Sequence, residues 1–299
     1  MQESLPNLFI LGAAKAGTTT LYDMLSQLPG VYFPFSKEPL FFSKDSLFAR
    51  GTGWYIQTYY HDSSSFLYRG DATPHYLYWG NKVASRIKNV HSTSPKFIVT
   101  LRDPVKRAYS WYWNMIREGI EELSFEDALE AEDKRIQENY QELSQQGSMI
   151  YGYVRGGCYA SQLEPFLKLF PRESFHFILQ EDLQDDLTHT MHNLLDFLEY
   201  RQSDKEFTAV RKNTAALPRS MAFQRWLHKK SRLRDWVKKL LPIQIRYTIK
   251  ENMIRLNLRP VKYTGMRPET EMRLRQGFDN EISRLQEIID RDLSSWRIG

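Results

Sequence analysis

Two short segments contain residue types that could hold an anion. The first, Phe9–Leu25, reads FILGAAKAGTTTLYDML: an apolar run, a turn of small residues and an amphipathic pattern. Free N–H groups at the start of a helix attract anions, and the helix dipole strengthens that attraction. Lys15 adds a mobile positive charge, and a run of hydroxyls adds hydrogen-bond donors: Thr18, Thr19 and Thr20. The segment therefore predicts a phosphate-type anion site directly after a strand.

The position of Lys15 departs from the nucleotide-kinase pattern. That pattern, G-x-x-x-x-G-K-[ST], places the lysine directly after its second glycine. Here Lys15 precedes Gly17 by two residues, and Thr18 follows the glycine. A magnesium-dependent kinase is therefore disfavoured, while a nucleotide kinase or NTPase with an atypical loop stays open as an alternative. A plain strand–turn–helix with an exposed lysine is the other alternative.

The second segment, Phe97–Trp113, reads FIVTLRDPVKRAYSWYW. Arg102 follows its apolar run, at the strand end where ligands of open α/β sheets bind. Pro104 suits the first turn of a helix, and Ser110 lies about two helical turns beyond Arg102. A guanidinium can grip a phosphate with two parallel hydrogen bonds, and a hydroxyl can add a third. The alternatives are a salt bridge at a helix end for Arg102 and an ordinary helix hydroxyl for Ser110.

Apolar runs and helical spacing alternate along the chain. Three runs are predicted strands: Leu8–Leu11, Phe97–Leu101 and Phe175–Leu179. Helical patterns cover residues 18–28, 103–117, 125–143, 159–170, 187–198 and 269–296. Alternating strands and helices favour an α/β fold with a central parallel sheet. With no long linker or repeat, a single domain over residues 1–299 is the simplest organisation.

The net charge of +5 conceals an uneven distribution. Residues 211–262 carry 15 basic and 2 acidic side chains, whereas residues 1–210 carry 20 and 27. Such a segment attracts anionic ligands, polymers or membrane surfaces. We expect a basic helical elaboration at about 211–262, acting as a lid or a packing helix. A polyanion-binding module and peripheral membrane contact stay open as alternatives.

Cys158 is the only cysteine, so no disulfide can form within the chain. No segment is long and apolar enough for a membrane span, and the N-terminal residues lack the pattern of a signal peptide. These features fit a reducing compartment. The expectation is a soluble, cytoplasmic protein without a transmembrane segment.

The two anion motifs resemble those of a known family. KAGTTTLY and LRDPVKRAYSWY resemble the cofactor motifs of PAPS-dependent sulfotransferases, especially the heparan-sulfate-type branch and its bacterial relatives. Four further segments resemble that branch: FSKEPLFFSKD, GTGWYIQTYY, RGGCYASQLEPFLKLFP and LQEIIDRDLSSW. The resemblance is weakest over residues 200–262. It implies a P-loop-like three-layer fold, a central parallel sheet flanked by helices.

The resemblance also implies a reaction and a donor site. The sulfuryl group of PAPS (3′-phosphoadenosine 5′-phosphosulfate) would pass to an acceptor hydroxyl or amine, releasing PAP without a metal. Saccharide, lipid, carrier-bound and other small acceptors all stay open, and no nucleic-acid partner is expected. Arg102 and Ser110 would hold the 3′-phosphate. The 5′-phosphosulfate would be wrapped by Lys15, Ala16, Gly17, Thr18, Thr19 and Thr20.

Two residues are candidates for the base that deprotonates the acceptor. Glu38 matches the family's catalytic carboxylate, and the aromatic residues that follow it lead us to expect a raised pKa. Its alternative is a surface glutamate paired with Lys37. His75, in GDATPHYLY, is the second candidate base, with Asp71 as its helper; its alternative is a turn residue after Pro74.

Two departures from the family pattern concern the rest of the site. Ala72 stands where the heparan-sulfate-type branch often carries a lysine, so no second catalytic lysine is expected there. The family's late Lys-Gly-Arg loop is matched only by Gly265 and Arg267. The resemblance implies that Arg267 contacts the 3′-phosphate. The alternative is a solvated arginine before a proline.

Overall fold

The computed structural model describes residues 5–138, 147–201, 216–228, 252–254, 256–261 and 265–297. Its main sheet has five parallel strands in the order β2-β3-β1-β4-β5. These strands are β1 (Leu8–Gly12), β2 (Val31–Tyr32), β3 (Tyr68–Ala72), β4 (Lys96–Leu101) and β5 (Phe175–Leu179). The predicted central parallel sheet is confirmed, and β1 lies in the middle of it.

Helices connect and cover the strands. Before β4 they are α1 (Thr18–Leu25), α2 (Asp45–Phe48), α3 (Gly51–Tyr59) and α4 (Gly80–Val90). Between β4 and β5 they are α5 (Pro104–Arg117), α6 (Phe125–Glu130), α7 (Glu132–Glu138), α8 (Gly147–Ile150) and α9 (Tyr159–Leu169). After β5 they are α10 (Gln180–Asp185), α11 (Leu187–Phe197), α12 (Met221–His228) and α13 (Pro268–Ile289).

Alternate residues of β1 divide between two hydrophobic clusters. Phe9 and Leu11 belong to the larger cluster, which includes buried residues of α4, α5, α9 and α13. Leu8 and Ile10 belong to the second, which includes buried residues of α1 and α11. Because side chains alternate along a strand, the sheet is packed on both faces. The three-layer α/β prediction is confirmed.

The strand order also locates the ligand edge. β1 lies between β3 and β4. From β1 the chain continues to β2 at one edge of the sheet, whereas from β4 it continues to β5 at the opposite edge. In open α/β sheets, ligands bind outside the carboxyl ends of the strands at such a switch point. Three loops meet there: the one after β1, the one after β3 and the one after β4.

The sequence missed some elements and merged others. β3 reads YRGDA, too polar to be recognised as a buried strand, although its last three residues are buried. The single helix predicted over residues 125–143 is wrong, because Ala131 separates α6 from α7. The remainder of that prediction, beyond residue 138, lies outside the described residues.

Only parts of the basic elaboration at about 211–262 fall within the described ranges. They form a two-stranded antiparallel sheet, β6 (Ala216–Pro218) with β7 (Leu258–Pro260), together with α12. The remainder of this segment lies outside the described residues, so its role as a lid stays a prediction. None of the described helices has the length and apolar character that crossing a membrane requires.

Candidate active site

The loop between β1 and α1 needs unusual backbone angles. Gly12 has φ 146° and Gly17 has φ 100°, values that L side chains rarely adopt. A Cβ on Gly12 would lie 2.6 Å from the carbonyl oxygen of Pro74, so only glycine fits against the loop after β3. Lys15 itself has φ 75°, in the left-handed region. Backbone strain of this kind clusters at ligand sites.

Residues of β4 and the residue after it hold this loop. The Ala13 N–H donates to the Thr100 carbonyl at 2.6 Å, and the Thr100 hydroxyl donates to the Gly12 carbonyl at 3.0 Å. Arg102 donates from Nη1 to the Lys15 carbonyl at 3.2 Å. The two motifs that the sequence singled out, 87 residues apart, are therefore in direct contact.

The start of α1 is open for an anion. Gly17 is its N-cap and has no side chain to cap the helix. Among the described residues nothing accepts from the first-turn N–H groups of Thr18, Thr19 and Thr20, so these groups can bind a ligand. Ala16 is fully buried behind them. Lys37 donates from Nζ to the Thr19 hydroxyl at 2.7 Å, which brings the segment carrying Glu38 against the same helix start.

One face of α5 points toward the loop. Asp103 caps this helix by accepting from the N–H groups of Val105 and Lys106, and Pro104 occupies its first turn. Ser110, Asn114 and Arg117 are spaced by four and three residues, so they share a face. Because Asn114 contacts Lys15, this shared face is the one that meets the loop, and Ser110 lies partly buried on it.

Asn114 and Arg117 are site residues that the sequence reasoning missed. Asn114 Oδ1 accepts from Lys15 Nζ at 3.2 Å and from Arg117 Nη2 at 2.7 Å. Burial and the nearby charges of Arg117 and Arg102 lower the pKa of Lys15 to about 8. The helical spacing from Ser110 was the signal that could have identified both residues.

Arg102 and Lys15 lack acidic partners within the described part of the chain. Asp103, the acidic neighbour that could have paired with Arg102, instead accepts from Arg275 at 3.3 Å. Within the described residues Arg102 makes no salt bridge, although the charges of Asp103 and Glu181 act on it. Its buried Nε has no hydrogen-bond partner among the described residues, and burial lowers its pKa. Two partly buried cationic side chains that make no salt bridge with a described carboxylate form a site suited to an anion.

The two candidate bases are in contact. His75 Nε2 lies 3.4 Å from Glu38 Oε2, so the imidazole can donate to the carboxylate. The Glu38 side chain is 36% exposed and the His75 side chain 13%. Nδ1 of His75 is buried and has no hydrogen-bond partner in the described ranges. The structure therefore brings together the two residues that the sequence treated as rivals.

The expected rise in the pKa of Glu38 is wrong. Burial does raise it, but the hydrogen bond from His75 and the charges of His75 and Lys37 outweigh burial and hold the pKa below its usual value. Phe41, one of the aromatic residues that follow Glu38, stacks on Tyr55 at 4.1 Å between ring centroids, with the rings 5° from parallel.

Asp71, at the end of β3, is fully buried in a hydroxyl cage. It accepts from Tyr55 at 2.6 Å, from Thr73 at 2.6 Å and from Tyr76 at 2.8 Å. Burial raises the pKa of Asp71 to about 6, against the opposing effect of these donors. Ala72 is buried beside it and brings no charge to the site.

The predicted late loop lies against another part of the protein. Arg267 is the N-cap residue of α13, and its side chain is 72% exposed. Its Nε lies 3.9 Å from Glu126 Oε1, and no described contact joins it to Arg102 or Ser110. Gly265 is exposed, and a Cβ there would contact none of the described residues apart from its neighbours in the chain. Contact of these residues with a donor therefore stays a prediction.

Comparison with known proteins agrees with this geometry. Residues 5–222 match the family described as "Sulfotransferase domain". A solved structure, a sulfotransferase from Alicyclobacillus acidocaldarius, superposes with a TM-score of 0.69 at 26% identity. The match covers 98% of this chain and 99% of that one.

The similar curated proteins are larger. Heparan sulfate glucosamine 3-O-sulfotransferase 5 of Mus musculus is 32% identical over 180 residues, covering 59% of this chain and 48% of that protein. A bifunctional heparan sulfate N-deacetylase/N-sulfotransferase 1 of Caenorhabditis briggsae is 24% identical over 205 residues, covering 66% and 23%. The chain thus matches about half or less of the length of these relatives.

Proposed function

The chain belongs to the sulfotransferase domain family, and we propose that it transfers the sulfuryl group of PAPS to an acceptor hydroxyl or amine. One observation carries the proposal. Lys15 and Arg102, neither paired with a described carboxylate, meet at the carboxyl ends of β1 and β4, beside the Glu38–His75 pair. Such a site provides two cationic side chains that can bind anionic groups of the donor, and a base that can accept the acceptor's proton. This reaction needs both.

The residues present fit a donor with two anionic ends. The loop from Lys15 to Thr20 and the uncapped start of α1 would hold the 5′-phosphosulfate. Arg102, whose buried Nε has no hydrogen-bond partner among the described residues, would bind the 3′-phosphate together with Ser110. The contact between Arg102 and the Lys15 carbonyl supports simultaneous binding of both ends. When bound, the donor supplies an activated sulfur and a leaving group.

The reaction breaks one bond and forms another. The acceptor oxygen or nitrogen attacks sulfur as the sulfur–oxygen bond of the phosphosulfate bridge breaks, and the bridging oxygen leaves with PAP. Lys15 would stabilise the negative charge that develops on this oxygen. The acceptor's proton passes to a protein base. In-line geometry requires that base to lie across the sulfur from Lys15.

Glu38 is our choice for the base, with His75 as its partner. Glu38 is the more exposed of the two side chains, and an acceptor has to arrive from solvent. Its lowered pKa keeps it ionised at neutral pH, ready to accept a proton. His75, which donates to Glu38, would fix the orientation of the carboxylate, in the manner of a third group that orients a base.

A screen with radiolabelled PAPS tests the proposal. It offers the protein saccharides, lipid alcohols, amines and carrier-bound hydroxyls, in buffer containing a metal chelator. We expect label in at least one acceptor class with wild-type protein, and transfer roughly a hundredfold slower with Glu38→Gln. Magnesium-dependent ATP turnover, with no label transferred to any acceptor, would contradict the proposal.

A further inference from the structure

The loops carrying Glu38 and His75 are joined beneath the surface. Glu38 precedes the buried pair Phe41 and Phe42 in the segment between β2 and α2, whereas His75 lies in the loop between β3 and α4. The Phe42 N–H donates to the Tyr76 hydroxyl at 3.3 Å. The Tyr76 hydroxyl in turn donates to Asp71. A hydrogen-bonded chain thus runs from one loop to the other.

A second path reaches the Glu38 segment through α3. The ring of Tyr55 stacks on Phe41, and its hydroxyl donates to the same Asp71 oxygen, Oδ2, that Tyr76 uses. The other oxygen accepts from Thr73, two residues before His75. Asp71 therefore joins both loops, yet it is fully buried and cannot touch an acceptor.

We propose that Asp71 is a positioning residue: it holds Glu38 and His75 in the relative position that proton transfer requires. This inference rests on the proposed function. A small misplacement of a catalytic group is costly, since a shift of about 1 Å can reduce a rate roughly a hundredfold. The ionised carboxylate accepts three hydroxyl donors, whereas protonation would force one of those hydrogen bonds to break or reverse.

The proposal predicts a pH dependence. Burial raises the pKa of Asp71 to about 6. Among the described residues, the titratable groups that interact electrostatically with it are four tyrosines, whose pKa values are all raised, and one carboxylate: Tyr55, Tyr59, Tyr60, Tyr76 and Glu38. The tyrosines stay neutral near pH 6, and Glu38, with its lowered pKa, stays ionised. Asp71 is the member of this group that changes charge there.

The first test compares wild type with Asp71→Asn. The amide of this variant is neutral at every pH, as the protonated carboxyl group of Asp71 would be. We expect kcat to fall about tenfold or more at pH 7.5, with donor KM within about twofold of wild type. Wild-type kcat should fall below about pH 6 toward that of the variant, whose own profile stays flat. If the variant matches wild type in kcat, or keeps the same acid decline, the inference is overturned and the decline belongs to a group other than Asp71.

Two variants separate positioning from loss of stability. Tyr76→Phe breaks the chain from Phe42 but keeps the charge of Asp71, so we expect a lower kcat with the decline near pH 6 retained. It also tests the inference if Asp71→Asn fails to fold, because unchanged kcat would overturn the inference. Glu121→Gln, at a buried carboxylate bonded to Tyr153 and Arg135, is the control. It should leave kcat unchanged whatever it does to the melting temperature.

The two proposals fail in different ways. If the wild-type protein transfers no sulfuryl group, the proposed function is at fault, and the Asp71 variants are then compared only for folding. If wild type is active while Asp71→Asn and Tyr76→Phe both match it in kcat and pH profile, the role of Asp71 alone is refuted.

Discussion

The two halves of the site are built on opposite electrostatic principles. The proposed donor half brings Lys15 and Arg102 together, and neither makes a salt bridge with a described carboxylate. The acceptor half pairs Glu38 with His75 and surrounds Asp71 with hydroxyl donors. Unpaired buried charge is costly until an anion arrives, whereas paired groups are already stabilised. The first half is therefore suited to binding and the second to proton transfer.

This difference predicts that the halves can be broken separately. Substitutions in the donor half should weaken nucleotide binding or leaving-group departure, whereas those in the acceptor half should lower turnover and leave PAP affinity nearly intact.

The largest effect is expected from Lys15→Ala. Removing the cation at the leaving group should lower kcat by on the order of 10³-fold, as for the loss of one oxyanion donor. Turnover with labelled PAPS measures this loss. Lys134→Ala, at an exposed lysine 3.8 Å from Glu138, is the control and should keep wild-type turnover. If kcat of Lys15→Ala falls by less than tenfold, a residue other than Lys15 stabilises the leaving group.

Glu38→Gln should lower kcat by roughly a hundredfold, because general-base catalysis typically contributes factors of this size. Its dissociation constant for PAP should change by less than about twofold, since the carboxylate belongs to the acceptor half. Steady-state turnover and calorimetry measure the two quantities. Glu130→Gln, on the surface near Arg273, is the matched control. Unchanged turnover in Glu38→Gln would transfer the role of base to His75.

Arg102→Ala should weaken the binding of the donor nucleotide. We expect PAP to bind about 10- to 100-fold more weakly, because a charge-assisted contact to the 3′-phosphate is lost. Adenosine 5′-phosphate, which lacks that phosphate, should bind this variant nearly as well as it binds wild type. If both nucleotides weaken equally, Arg102 holds something other than the 3′-phosphate.

Alkaline pH should weaken donor binding. Lys15 is charged below its pKa of about 8 and neutral above it, and an anion binds the charged form more tightly. The dissociation constant of PAP should therefore rise about tenfold between pH 7 and pH 9. Lys15→Arg, whose side chain stays protonated, should show little change over that range. An equal rise in both proteins would trace the effect to another group.

Arg267→Ala should have the smallest effect. Its side chain is exposed and lies 3.9 Å from Glu126, so any contact with the 3′-phosphate would be screened by solvent. We expect PAP to bind about threefold more weakly. If the affinity for PAP is unchanged, Arg267 does not belong to the site. If the affinity falls by more than about tenfold, Arg267 closes over the donor.

The positions of the residues in the proposed donor half were predictable from the sequence because they follow local rules. A strand end, a glycine turn and a helix start place Lys15, and a second strand end places Arg102. The acceptor half was only partly predictable. Glu38 and His75 were named as rivals because their contact depends on how two separate loops pack. The lowered pKa of Glu38 and the cage around Asp71 arise from tertiary partners that spacing does not reveal.

Calorimetric titration with PAP, in a buffer containing a metal chelator, measures directly whether the proposed donor site exists. We expect micromolar or tighter binding of PAP, at least about tenfold weaker binding of adenosine 5′-phosphate, and loss of that difference in Arg102→Ala. Tight binding of ATP with Mg²⁺ together with no binding of PAP would contradict it.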